Sequence, residues 1–319
     1  MIGLSQLDLG SLAVATFFAL SGMLVTPSYA RTGDIRIYSW HRILRIYPAL
    51  ICSLLVTVGI LIPLTSSLSV ANLALGSDYL KTSVVYLASN LAVPNSVPRF
   101  TGHFVGNSVT DFTNGSMWTL RYEIAGYALI ALIGLLGGLT RFKMVSWIGF
   151  LICCAIGARD AMHLEPSKLW FFTSSGKKMI LIAIGGMVWA SFSTETQRRI
   201  NRPIALLGLG AICLASLYTD FWWIGFAVTI PPLLHFLAYA LPFDWWEKQV
   251  GGDYSYGLYI FHYPVQQTFV HLNLATTTPW VFSLITFVVA LILAMLSWKF
   301  IERPALQLKS WRPNWKKTA

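Results

Sequence analysis

The stretch MWTLRYEIAGYALIALIGLLGG, Met117 to Gly138, decides how the chain is read. From Ile124 onward it is as apolar as lipid, and it has the length of roughly 20 residues that a helix needs to cross a bilayer. Yet Arg121 and Glu123 stand one turn inside its start. An ionised carboxylate in such a helix costs at least a few kcal/mol unless it is paired or faces water. The carboxylate therefore needs a reason to be there, either a structural partner or a polar cavity.

The rest of the chain has the same grain. Of its 319 residues 55% are hydrophobic and 11% charged, and its mean hydropathy is +0.62. A soluble domain carries about 25% charged residues. The apolar residues fall in long blocks with no barrel-like alternation, so the fold expected is all-α, a polytopic transmembrane helix bundle forming a single domain over 1–319. The blocks predict nine spans, at 10–27, 46–65, 117–138, 145–158, 179–193, 203–219, 221–241, 255–274 and 279–300. The half-apolar segment 69–95 holds Asp78 and Lys81 and reads as a surface or re-entrant helix.

Nine spans sort the basic residues unevenly. Sixteen of the 23 Lys and Arg fall on the side of residues 28–45, six fall opposite, and Arg121 lies within a span. By the positive-inside rule the rich side is cytoplasmic, which puts the N-terminus outside and the C-terminus in the cytosol of a plasma (inner) membrane protein. The net charge of +10 is thus a matter of topology and lipid headgroups, with no nucleic-acid partner expected. Cys52, Cys153, Cys154 and Cys213 all lie in predicted spans without metal-ligand spacing and read as packing residues. No metal is expected. Asn114-Gly115-Ser116 matches a glycosylation sequon, a short and weak signal. No Walker loop, HExxH or G-x-S-x-G is present, which leaves ATP-driven transport, zinc proteolysis and serine hydrolysis without support.

Four polar groups ask for explanation. Glu123 shares a helical stripe with Tyr127 and Ile130. It is either paired for packing or lines a cavity where it holds or polarises a reacting group. In DYSYGLYIFHYPVQQ, Asp253 to Gln267, the residues Ser255, Tyr259, His262 and Gln266 share one face, with Tyr256 and Tyr263 nearby. His262 is either an interhelical hydrogen bonder or part of a lined cavity, and Pro264 should free backbone carbonyls. In RIYSWHRILRIYPAL, Arg36, Arg42 and Arg45 stand where a helix enters the membrane from the cytosol. They anchor to lipid phosphates or hold a phosphate-rich cytosolic molecule. In FFALSGMLV, Ser21-Gly22 permits close helix approach or close passage of a ligand. The long loop 66–116, with His103 and Asp111, is polar enough to suit a sugar, although solvation alone gives the same composition.

Taken together, FFALSGMLV, HRILRIYPA, NGSMWTLRYEIAGY, YSYGLYIFHYPVQQ and IERPAL (Ile301 to Leu306) resemble, in order and over nearly the whole chain, the integral-membrane acyltransferase 3 family. That family O-acylates sugars and envelope polymers. The resemblance implies an acyl (usually acetyl) donor, cytosolic acetyl-CoA, and an acceptor hydroxyl on a glycan or lipid-linked saccharide at the outer face. No bound cofactor is implied. Residue by residue, it implies that Arg42 and Arg45, with Arg36 beside them, hold the CoA phosphates. Glu123 and His262 become the catalytic candidates, and Ser21, Trp118, Tyr122, Tyr256 and Tyr259 the substrate-binding ones. The family pattern has ten helices. Its first, bearing an arginine and a histidine thought to be the base, has no counterpart here and is expected upstream of Met1. A transporter or flippase of a lipid-linked glycan would use the same polar cavity without transferring an acyl group.

Overall fold

The computed structural model describes residues 9–65, 77–135, 142–161, 174–200, 203–216, 222–240, 251–275 and 278–311. Among them the only extended pairing is an isolated antiparallel bridge between Arg99 and Phe112, and the fold is all-α as the sequence predicts. The helices are α1 (Leu9–Thr32), α2 (Ile35–Val56), α3 (Ser77–Ala92), α4 (Leu120–Leu135), α5 (Phe142–Ala161), α6 (Ser174–Ala190), α7 (Thr194–Ile200), α8 (Pro203–Ser216), α9 (Trp222–Ala240), α10 (Ser255–His271), α11 (Pro279–Ser297) and α12 (Arg303–Gln307). Local chemistry sets several ends. Gly33, at φ +61°, closes α1 with its N–H on the Tyr29 carbonyl, and the Asp34 carboxylate accepts the Arg36 N–H (2.7 Å) to open α2. α2 continues through a π-helical turn, Thr57–Leu61, into Ile62–Thr65. The Val58 carbonyl within that turn accepts a hydrogen bond from the Tyr79 hydroxyl.

The residues form two compact units, Met1–Ser39 with Tyr122–Trp246, and Trp40–Arg121 with Glu247–Ala319. In the first, α6 packs against α1, α5 and α9. The α1–α6 approach is so close that a Cβ on Gly22 would strike the Ala183 carbonyl and one on Gly186 the Ala19 carbonyl. Both positions therefore demand glycine, and the close-approach reading of Ser21-Gly22 is met. In the second unit, α10 packs on α11, on the π turn after α2, and on the 3₁₀ turn Gly115–Thr119 that leads into α4. α11 buries Thr286, Ala290, Ala294 and Ser297 and exposes Leu284, Phe287, Val288, Ile292 and Met295. Small residues face protein and large apolar ones face outward. In water that exposed patch would be costly, and lipid is the solvent that suits it.

Nine crossing helices are not what the helix lengths support. Each predicted span contains a helix. By length and apolarity, however, only Gly10–Tyr29, Ile35–Thr65 and Pro279–Ser310 qualify among the described residues, or four if the bent pair Gly176–Ala190 and Thr194–Ile200 is one span. α10, with 17 residues, closes at His271 and is short of the roughly 20 needed, while α4 and α8 run to the limits of the described residues. The sequence blocks also counted apolar residues at 136–138 and 217–219, which lie outside the described residues. Residues 69–76 of the segment 69–95 lie outside them too, and Ser77–Ala92 is helical as α3.

The loop after α3 is not a solvated tether. His103, Asn107, Thr113, Asn114 and Ser116 are buried, and most of their polar atoms bond inside the protein. The Tyr86 and Thr113 hydroxyls lie 2.7 Å apart, and Asn107 Nδ2 donates to Gln267 Oε1 (2.6 Å). Asn114, within the sequon, is 1% exposed. Its Oδ1 accepts the Ser116 N–H (3.0 Å) and its Nδ2 donates to the Ile260 carbonyl (2.8 Å). That carbonyl lacks its usual helical donor because the residue four further on is Pro264, which has no N–H. The freed carbonyl predicted from Pro264 is thus satisfied by Asn114, and the sequon is occupied by structure. Asn114→Ala orphans both partners in a buried place and is expected to destabilise the protein by about 1–3 kcal/mol, read as a lower denaturation midpoint.

Candidate active site

In the first unit, α1, α4 and α6 enclose a cleft with about 430 Å³ of empty space, its open mouth included. Phe18, Ser21, Tyr122, Glu123, Tyr127 and Ile184 are among its lining residues. The lining is apolar except for a few groups, and Glu123, 7% exposed, is its carboxylate. The Tyr127 hydroxyl, one turn on, donates to Glu123 Oε1. Glu123 thus has a tyrosine partner fixing one oxygen and a cavity in front of it. Three sequence candidates, Ser21, Tyr122 and Glu123, meet here, on helices whose sequence separation gave no sign of it. Tyr127 was legible as a stripe neighbour four residues from Glu123, but not as its hydrogen-bond donor.

The second unit gathers the α10 motif. His262 is half-buried, and its Nδ1 lies 2.7 Å from the Tyr259 carbonyl and 3.4 Å from Ser116 Oγ. A carbonyl only accepts, so Nδ1 carries the proton, and in the neutral ring Nε2 holds the lone pair. The Ser116 hydroxyl cannot pass its proton to that same nitrogen, so Ser116 and His262 are not a nucleophile–base pair. Ser116 and the 259 carbonyl fix the tautomer of His262 instead. The Tyr259 hydroxyl meets Thr119 Oγ1 at 2.6 Å. Tyr256 is 8% exposed and donates to the Ile46 carbonyl (3.0 Å), tying α10 to α2. Trp118 is half-buried in the 3₁₀ turn. Ser116 and Thr119 were missed as site neighbours, although both stand in the quoted NGSMWTL run.

The arginines divide. Arg36 belongs to the first unit, Arg42 and Arg45 to the second. Arg45 Nη2 lies 2.6 Å from Asp253 Oδ2, and Lys309 is within electrostatic range of Arg42 and Arg45. Glu302, from the IERPAL run, is 2% exposed and accepts from Ser297 Oγ (2.9 Å). Among the described residues no group of three or more His, Cys, Asp or Glu could hold a metal ion.

The first unit thus holds a buried carboxylate facing a cavity, and the second a histidine of fixed tautomer and a basic cluster. The profile of the acyltransferase 3 family, described as an acyltransferase domain, matches residues 2–299, and the chain belongs to that family. It is an acyltransferase, similar to proteins named as O-acetyltransferases. An O-acetyl transferase of Shigella phage Sf6 is 27% identical over 94% of this chain and 86% of its own length. Nodulation protein 10 of Rhizobium leguminosarum bv. viciae is 24% identical over 93% of this chain and 82% of its own. The O-acetyltransferase OatA of Staphylococcus aureus is 24% identical over 92% of this chain, which spans 52% of OatA. No solved structure matches the chain.

Proposed function

We propose that this protein is a multi-pass O-acetyltransferase of the plasma (inner) membrane, with a cytoplasmic C-terminus. It takes an acetyl group from cytosolic acetyl-CoA and places it on a hydroxyl of a glycan, either an envelope polysaccharide or a lipid-linked saccharide. The observation that carries the reading is Glu123, a carboxylate kept in an apolar helix, facing a cavity and held by Tyr127. The names of the relatives support acetyl and O-transfer. Arg42 and Arg45 bind the phosphates of the donor, since guanidinium forks match phosphate oxygens.

The chemistry is a hydroxyl attacking a thioester carbonyl. The acceptor O–H loses its proton to a base, an ester C–O bond forms, and the thioester C–S bond breaks. The CoA sulfur leaves with the electron pair and takes up a proton. Glu123 is the carboxylate at the reacting end and Tyr127 positions it. His262, with Nε2 as its free lone pair, carries a proton. Tyr259 and Trp118 bind substrate in the unit of His262, and Ser21 and Tyr122 line the cleft of Glu123.

Two measurements test the reading. Purified protein given acetyl-CoA and a glycan acceptor should release free CoA only when both are present, where a flippase would release none. Glycans from cells lacking the gene should lose the mass of one acetyl group. No acceptor-dependent CoA release would reject the donor assignment. His262→Ala is expected to lower turnover by about tenfold to a hundredfold. His262→Gln should recover little of it, and full recovery would reduce His262 to a hydrogen bonder.

A further inference from the structure

Arg45 already carries an anion. Its guanidinium is paired with Asp253 at 2.6 Å, and the two side chains are 30% and 45% exposed. The other oxygen of Asp253, Oδ1, accepts from the Ser255 hydroxyl (2.5 Å) and from the Ser255 N–H (3.3 Å), so the carboxylate is aimed and not adrift. Burial tends to push the Asp253 carboxyl up, but Arg45 and the Ser255 bonds outweigh it and hold the group below the usual carboxylate range. The Glu302 carboxyl lies within electrostatic range of Arg45 and Asp253, and Lys309 within range of Arg42 and Arg45. A carboxylate and a phosphate offer a guanidinium the same fork of acceptor oxygens.

We infer that Asp253 is a built-in competitor. It occupies the place on Arg45 that a phosphate of the donor takes, and donor binding displaces it. This deepens the proposed function and rests on its reading of Arg42 and Arg45 as phosphate holders. A half-exposed ion pair holds only weakly, so a donor with several phosphate charges, drawing on Arg42 and Lys309 as well, displaces it readily. A singly charged anion, gaining only what it replaces, does not. The pair therefore favours a polyphosphorylated donor over the abundant small anions of the cytosol.

The test is titration of the full-length protein in detergent with coenzyme A, inorganic pyrophosphate and acetate. The variants are Asp253→Asn, Asp253→Ser, Arg45→Gln and the Arg45→Gln/Asp253→Asn pair. Asp253→Ser keeps an oxygen for the Ser255 N–H at the start of α10 and guards against misfolding of the first variant. Each single Asp253 change is expected to tighten coenzyme A and pyrophosphate binding by about threefold to fivefold and to admit acetate measurably. The double variant should lose that gain. Unchanged or weaker binding in both Asp253 variants, with Arg45→Gln still weakening it, would overturn the competitor and leave the phosphate site standing. Coenzyme A binding that ignores Arg45→Gln would overturn both.

Discussion

Glu123→Gln is expected to abolish acetyl transfer, a loss of about 10²-fold to 10⁴-fold, while the protein still inserts and accumulates as the wild type does. Glutamine is the informative change because it keeps the shape and one carbonyl oxygen, so the Tyr127 hydroxyl retains its acceptor. Only the charge and the capacity to hold a proton are lost. If Glu123, which is 7% exposed, served packing alone, the change would be felt in the amount of folded protein and not in the activity per folded molecule. Retained activity would remove Glu123 from the mechanism. Loss of the protein itself would assign the residue to packing. The measurement is acceptor-dependent CoA release alongside the amount of folded protein, because the two readings differ in which of these moves.

How far the sequence reached depends on whether a feature was local. The helices were legible because an apolar block of this length has few alternatives in a membrane, and Glu123 was legible because its cost is local. Pro264 announced a freed carbonyl for the same reason, since the missing N–H follows from residue type alone. Its partner Asn114 did not, because 146 residues separate it from Ile260. The pairing of Arg45 with Asp253, 208 residues apart, was invisible likewise. The number of crossing helices is supported only to three or four among the described residues, because hydropathy does not record where a helix stops. The polar loop 66–116 was ambiguous in principle. Composition reports how many hydrogen-bonding groups are present and not whether water or protein satisfies them.

That ambiguity resolves at His103, which sets up an acid-sensitivity in the loop. His103 is fully buried and stacks on Phe104 with ring centroids 3.7 Å apart, Phe104 itself being held at φ +54°. Thr65 Oγ1 donates to the Leu61 carbonyl and so accepts from His103 Nδ1, 2.6 Å away. His103 Nε2 is buried and has no hydrogen-bond partner among the described residues. Burial, with the neighbouring His271 adding to it, pushes the His103 pKa down to about 3. The unfolded chain binds this proton below its ordinary value of about 6.5, whereas the folded protein does not until about 3. As pH falls through that window the unfolded state takes up a proton the folded state refuses, and stability is lost at about 1.4 kcal/mol per pH unit. Above pH 6.5 the residue exerts no such pull. His103→Asn keeps an amide N–H for Thr65 and has nothing to titrate, so the variant should lack this slope. Denaturation of the two proteins at pH 7.5, 5.5 and 4.5 is therefore expected to give midpoints that converge as pH falls, or cross, the wild type losing stability faster. Parallel curves would show that His103 is protonated within the fold, and that the stacked, unpartnered ring is not the acid-labile point of the loop.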